Sequence, residues 1–204
     1  MGTVHLEPWK PWEGKEFSTT KMLILSESAY SWLDCGKEVQ LLPSHPKIQL
    51  HHWGIDHFGE QKYYAALGRA LCGTMTPSSD ELEKAWNEYA YSIFVQGSVG
   101  LGAKRRPTKK QLENSGPYFL RLIEELSPLK VVVTGKTTWN SMPDWNGPYL
   151  CNDLGAYKLS DGTLVWCLGV PHPGNRDKGG GFQWKSVGIR IRAFRSTKFP
   201  LREN

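Results

Sequence analysis

Three stretches of this chain are apolar without interruption and short enough to be strands. They are Leu23-Ile24-Leu25, Val131-Val132-Val133 within LKVVVTG (129–135), and the run from Leu164 to Val170. A strand with no polar alternation has to be covered on both faces, as parallel strands of α/β proteins are. The segments between these runs keep helical spacing. EQKYYAALGRAL (60–71) predicts a helix stopped at Gly73, and Ser78 caps a second with Leu82, Ala85, Trp86 and Tyr89 on one face. Thr108 with Gln111 forms a capping box that opens a helix to about Leu126. KTTWNSM (136–142) reads as a short helix closed by Pro143, and the tail from Phe182 turns Val187, Ile191 and Phe194 inward. Strands alternating with helices predict a three-layer α/β/α sandwich around a central, mostly parallel four-stranded sheet. IFVQ (93–96) reads as a strand or as the end of the preceding helix. Residues 33–58 read as irregular, and the first 20 or so as an irregular extension of a single domain spanning 1–204.

At 204 residues, 39% of them hydrophobic, the chain is long enough to bury one substantial core. No run approaches the ~18 apolar residues of a membrane helix, and the N-terminus lacks the apolar centre of a signal peptide. A cytoplasmic monomer with no membrane partner is therefore expected. Cys35, Cys72, Cys151 and Cys167 lie far apart with no C-x-x-C pair, which predicts buried thiols. His51, His52 and His57 have no matching carboxylate or cysteine pattern, so neither a metal nor a cofactor is expected. The charge is unevenly placed. Residues 97–110 hold five Lys/Arg and no acid, and 181–204 hold six against one Glu, in a chain whose net charge is +5. Separated basic segments suit a nucleic-acid partner, though two solvated faces would leave the same trace.

The first apolar run ends in Ser26-Glu27-Ser28-Ala29-Tyr30, a lone acid between hydroxyls with an aromatic behind it. The carboxyl ends of strands in open α/β sheets are where ligands are bound. Glu27 is thus either at the lip of an active site or an ordinary surface acid at a strand exit. The GKT at 135–137 is not a phosphate loop, because Lys130 stands where the first glycine of that motif would be. Gly135 instead suits a strand-to-helix turn, with Lys136 and helix-end amides available to a phosphate.

Three features in fixed order, S-E-S-A-Y, V-V-V-T-G-K-T-T-W and H-P-G-N (172–175), resemble the uracil-DNA glycosylase superfamily over about residues 22–194. That family carries a first motif of the type G-Q-D-P-Y or G-E-x-P-G and a second of the type H-P-S. The segment from Trp86 to Thr108 is similar to one of its bacterial members. The resemblance implies DNA as partner, a base flipped into a closed pocket, and monofunctional hydrolysis of its N-glycosidic bond. The chemistry fits these residues. An oxocarbenium-like sugar and an anionic base call for a carboxylate near the sugar and a donor at the base. Glu27 would supply the first and His172 the second, unless His172 is only a hydrogen-bonded turn residue before Pro173. The pocket would draw on Ser26, Ser28, Ala29, Tyr30, Ile93 and Phe94. DNA would be held by Lys104, Arg105, Arg106, Gly135, Lys136, Gly174, Asn175, Lys178 and Lys185, with Arg190 and Arg192 in support and Lys178 or Phe182 as a wedge.

The departures matter too. Ser28 stands where the first motif has its water-activating Asp, so Glu27 must do that work, with Asp34 and Asp177 in reserve. Ile93 stands where uracil-reading relatives have an Asn, and Ala29 leaves room beside Tyr30. These changes suggest an enlarged modified cytosine, hydroxymethylated or glucosylated as in some phage genomes, and hence a role in antiviral defence. Two alternatives remain: a uracil-DNA glycosylase of base-excision repair, and a catalytically inactive DNA-binding module.

Overall fold

The computed structural model describes residues 8–203 apart from 32, 35–36, 39–40, 42–43, 102–105 and 176–182. Seven strands build its main sheet: β1 (Trp12–Glu13), β2 (Met22–Ser26), β3 (Ala90–Ile93), β4 (Lys130–Thr134), β5 (Tyr149–Cys151), β6 (Leu154–Lys158) and β7 (Leu164–Val170). Their order is β1-β3-β2-β4-β7-β6-β5. The inner four, β3-β2-β4-β7, are parallel throughout. The sheet is therefore larger than the four strands expected, because β1 adds antiparallel at one edge and the β6–β5 hairpin at the other. That hairpin escapes a reading based on apolar runs. Tyr149, Leu150 and Cys151 are all exposed, so β5 has no buried pattern to show.

Side chains alternate across the sheet as the pleat demands. Met22 and Ile24 join Tyr91, Ile93, Val132 and Trp166 in one core, under α2 (Lys62–Cys72), α3 (Ser79–Asn87) and α6 (Trp184–Ser196). Leu23 and Leu25 join Val131, Val133 and Val165 in the other, under α4 (Lys109–Leu126). Helices thus cover both faces. The expected capping boxes form at Ser78/Glu81 and Thr108/Gln111, and Gly73 ends α2 at φ +74°.

Two expectations about irregular chain are corrected. Residues 8–20 are not an extension. Trp9 and Phe17 are each 4% exposed, and burying a Phe side chain stabilises by about 1.5–3 kcal/mol. Gln96 Oε1 accepts the Trp9 main-chain N–H at 2.7 Å, which ties this segment to the end of β3. Nor is 44–56 irregular: α1 (His45–His51) runs into a π-helical turn, His52–Asp56. Pro46 occupies the first turn of α1, where a proline costs no hydrogen bond, and His45, Pro46 and Leu50 are buried.

Candidate active site

The chain leaves β2 for β3 on one side of the sheet and continues through β4 and β7 on the other. The point where direction reverses lies between β2 and β4, and a crevice at the carboxyl ends of such strands is the usual ligand site. Ser26-Glu27 ends β2, Thr134-Gly135 ends β4, and Pro171-His172 follows β7. Gly135 turns the chain from β4 into α5 (Lys136–Asn140) at φ +98°, a conformation glycine adopts without strain, and its N–H donates to Val170 O at 2.8 Å.

Two connected hollows open here. The inner chamber, of about 60 Å3, is lined by Ser26, Glu27, Ser28, Ala29, Tyr30 and His172, with a floor of Gln49, Gln61, Tyr63, Tyr64 and Tyr91. At roughly 10–15 Å3 for each water, it has room for about four to six waters, comparable to one pyrimidine ring. The outer groove, of about 820 Å3, shares Glu27, Arg106 and His172 with the chamber and runs past Gly135, Lys136 and Asn175. One wall is aromatic: Trp139 and Trp145 have ring centroids 5.1 Å apart, and Trp145 and Tyr149 5.6 Å.

The floor of the chamber is a hydrogen-bonded chain. Ser26 Oγ lies 2.8 Å from Tyr91 Oη, which lies 2.9 Å from Tyr64 Oη, and Tyr64 donates to Gln49 Oε1 at 2.9 Å. Beside it Tyr63 Oη contacts Thr134 Oγ1 at 2.9 Å, and Thr134 donates to Leu25 O at 3.1 Å. Burial raises the pKa of Tyr63, Tyr64 and Tyr91 above the ordinary phenol value, so all three stay protonated. None of these tyrosines is visible as a site residue in the sequence. Tyr63 and Tyr64 sit in a segment that reads only as an amphipathic helix.

His172 packs against Tyr63 with ring centroids 5.1 Å apart. Its Nδ1 accepts the Gly174 main-chain N–H at 3.2 Å, so the neutral ring carries its proton on Nε2. Burial, and then the nearby positive charge of Arg106, lower its pKa below the usual imidazole value. At neutral pH it is an uncharged donor. A Cβ at Gly174 would lie 3.3 Å from the His172 ring and 3.3 Å from Lys62 O, so glycine lets the loop close against α2. Glu27 is 11% exposed at its side chain, and Arg106 Nη1 lies 3.3 Å from its Oε1. Ser28 Oγ is buried and has no hydrogen-bond partner among the described residues.

The structure therefore brings together Glu27, His172, Ser26, Ser28, Ala29, Tyr30 and Arg106, and places Gly135, Lys136 and Asn175 along the adjoining groove. It does not bring Ile93 or Phe94. Both are fully buried, Ile93 in the core under α2 and Phe94 in the opposite one. The reason is one of register: β3 begins at Ala90 rather than at Ile93, and Tyr91 is its residue that reaches the chamber. Position 93 thus has no bearing on the pocket, and the expectation of an enlarged base drawn from Ile93 loses that support. Lys185 is exposed over the Trp184 ring and lines neither hollow. Arg190 lines the groove but is held by Asp153 at 2.5 Å, and Arg192 donates to Ala70 O at 3.1 Å. Lys104, Arg105, Lys178, Phe182 and Asp177 lie outside the described residues, as does the side chain of Asp34.

Among the described residues no group of His, Cys, Asp and Glu is arranged to hold a metal ion, and no helix is long and apolar enough to cross a membrane. No protein-family model and no curated protein matches the chain.

Proposed function

We propose that this chain is a monofunctional DNA glycosylase that excises an enlarged modified cytosine and leaves an abasic site. The observation that carries the reading is the meeting of Glu27 and His172 on the wall of one chamber sized for a single pyrimidine, beside a groove of about 820 Å3. A base turned out of the stack would enter the chamber, at a cost of a few kcal/mol for unstacking. As the bond from C1′ to the base nitrogen breaks, its electron pair goes to the base, and the charge gathers on the ring and its carbonyl oxygen. His172, neutral and with its proton on Nε2, donates to that oxygen. Glu27 faces the cationic sugar, orients a water toward C1′ and takes its proton, a role typically worth 10²–10⁴-fold. Arg106 lies 3.3 Å from Glu27 in the free protein and would exchange that contact for a DNA phosphate. A substituent such as a hydroxymethyl or glucosyl group exceeds the chamber but not the groove, whose aromatic wall suits a sugar ring. Such a substrate would fit a protein directed against phage DNA.

The small chamber also suits a second reading, excision of plain uracil, which would leave the groove to the DNA strand alone. Alkali-induced strand scission separates the two on DNAs that are unmodified, uracil-containing, hydroxymethylcytosine-containing or glucosylated. We expect scission confined to the modified-cytosine DNAs and abolished by Glu27→Ala with DNA binding retained. Scission of uracil DNA alone selects the second reading. No scission of any of the four, with DNA still bound, makes the chain a binding module.

A further inference from the structure

Two carboxamides in the inner chamber keep hydrogen-bonding capacity that the fold does not use. Gln61 Oε1 accepts the Tyr63 main-chain N–H at 2.9 Å, capping α2. That partner can only donate, so the orientation of the Gln61 amide is fixed. Gln49 Oε1 accepts from Tyr64 at 2.9 Å. Its orientation follows from the chain to which Tyr64 belongs. Run in one direction, Ser26 donates to Tyr91, Tyr91 to Tyr64, and Tyr64 to Gln49, over contacts of 2.8, 2.9 and 2.9 Å. Run in the other, the last proton has to go from Ser26 to Ser92 O at 3.4 Å, beyond the good range for O–H···O. The first direction wins, and Gln49 turns its oxygen to the protein. Neither Nε2 has a hydrogen-bond partner among the described residues, although both side chains line the chamber. Ser28 Oγ, buried on the same wall, is also unpartnered.

We propose that Gln49 and Gln61 read the excised base by donating to its ring acceptors, so that the chamber selects a cytosine-type edge over a uracil-type one. The inference rests on the glycosylase reading above. A cytosine, substituted at C5 or not, presents two adjacent acceptors, O2 and N3, and an exocyclic amine that can donate to a hydroxyl such as Ser28 Oγ. Uracil and thymine carry N3–H at the middle position, so a donor there faces a donor. Sites built on buried hydrogen bonds reject a mismatched partner strongly, because the site's own groups are left unpaired. Carbon 5 lies across the ring from the O2–N3 edge, so its substituent points away from both amides.

The test uses two DNAs that differ only at this edge, one carrying 5-hydroxymethylcytosine and the other 5-hydroxymethyluracil. For the wild type we expect kcat/KM at least 10²-fold higher on the cytosine. Gln49→Glu and Gln61→Glu keep the oxygens that Tyr64 and Tyr63 require and replace the free N–H groups by acceptors. At least one of them should lower that preference 10²-fold or reverse it, with an unchanged melting midpoint. Equal wild-type rates on the two bases, or a preference that survives both substitutions, overturns the reader role and leaves the glycosylase reading intact. Calorimetric titration with the two free bases checks selection without turnover. Tighter binding of 5-hydroxymethylcytosine, lost in the Glu variants, supports the reader role, and equal binding of the two bases overturns it. Failure of the wild type to release any base, with no free base bound, removes the glycosylase reading and the inference together.

Discussion

Replacing Tyr91 by Phe removes one oxygen from the middle of the hydrogen-bonded floor and nothing else. That hydroxyl contacts Ser26 Oγ at 2.8 Å and Tyr64 Oη at 2.9 Å, and the side chain is 1% exposed. Two buried hydrogen bonds are lost, each with a net value of about 1 kcal/mol. Tyr64 still donates to Gln49, but the Ser26 hydroxyl loses its acceptor and is left with Ser92 O at 3.4 Å, beyond the good range for O–H···O. A buried donor left poorly satisfied adds about 1–3 kcal/mol, so the expected destabilisation is about 3–5 kcal/mol. For a chain of 204 residues this lowers the melting midpoint by roughly 6–20 °C. Urea unfolding followed by tryptophan fluorescence would read the same change as a lower midpoint with an unchanged slope. A loss below about 0.5 kcal/mol would mean that the hydroxyls do not form the chain.

Other expectations follow from charge. Burial beside Trp9 lowers the His45 pKa from 6.5 to about 4, so the unfolded chain takes up its proton first. This stability is complete above pH 6.5, falls by roughly 3 kcal/mol in total as the pH drops to 4, and then levels off. Equilibrium unfolding at several pH values should show that slope in the wild type and lose it in His45→Asn. On the glycosylase reading, Arg106→Ala, which removes a side chain placed beside Glu27, should weaken DNA binding at all sequences. The salt dependence of log K should become shallower by about one unit, measured by fluorescence anisotropy. An unchanged slope would place Arg106 off the DNA path.

The parts of this fold legible in the sequence are those with a periodic or local signature. Leu23 to Leu25, Val131 to Val133 and the run from Leu164 are strands because nothing polar interrupts them. The capping residues at Ser78 and Thr108 mark helix starts by chemistry confined to four residues. Glu27 and His172 are legible because each ends such a strand. What stayed hidden depends on contacts distant in the chain. Trp12–Glu13 is a strand only because Ala90 and Tyr91 lie beside it, and Gln49 and Gln61 belong to the site only because α1 and α2 close over the end of β2. Ile93 misled because the frame of β3 could not be fixed from its own residues. Two positions separate a core isoleucine from Tyr91, whose hydroxyl lies beneath the chamber.

The strand Lys130–Thr134 has a consequence beyond its place in the middle of the sheet. Leu25 pairs with Val133 on one side and Gly169 pairs with Val133 on the other, so the acid and the imidazole hang from one shared ruler by main-chain hydrogen bonds. Their strands are two sheet spacings apart, about 10 Å. That separation is quantised. A slip of one residue would turn Met22 and Ile24 onto the wrong face, so the smallest tolerable shift is two residues, about 6.6 Å. Substitutions among the covering helices can make the protein more or less stable, but the spacing of the two strands that carry the groups stays set by the pairing. A lineage carrying this sheet either keeps the pairing as it stands or loses it whole.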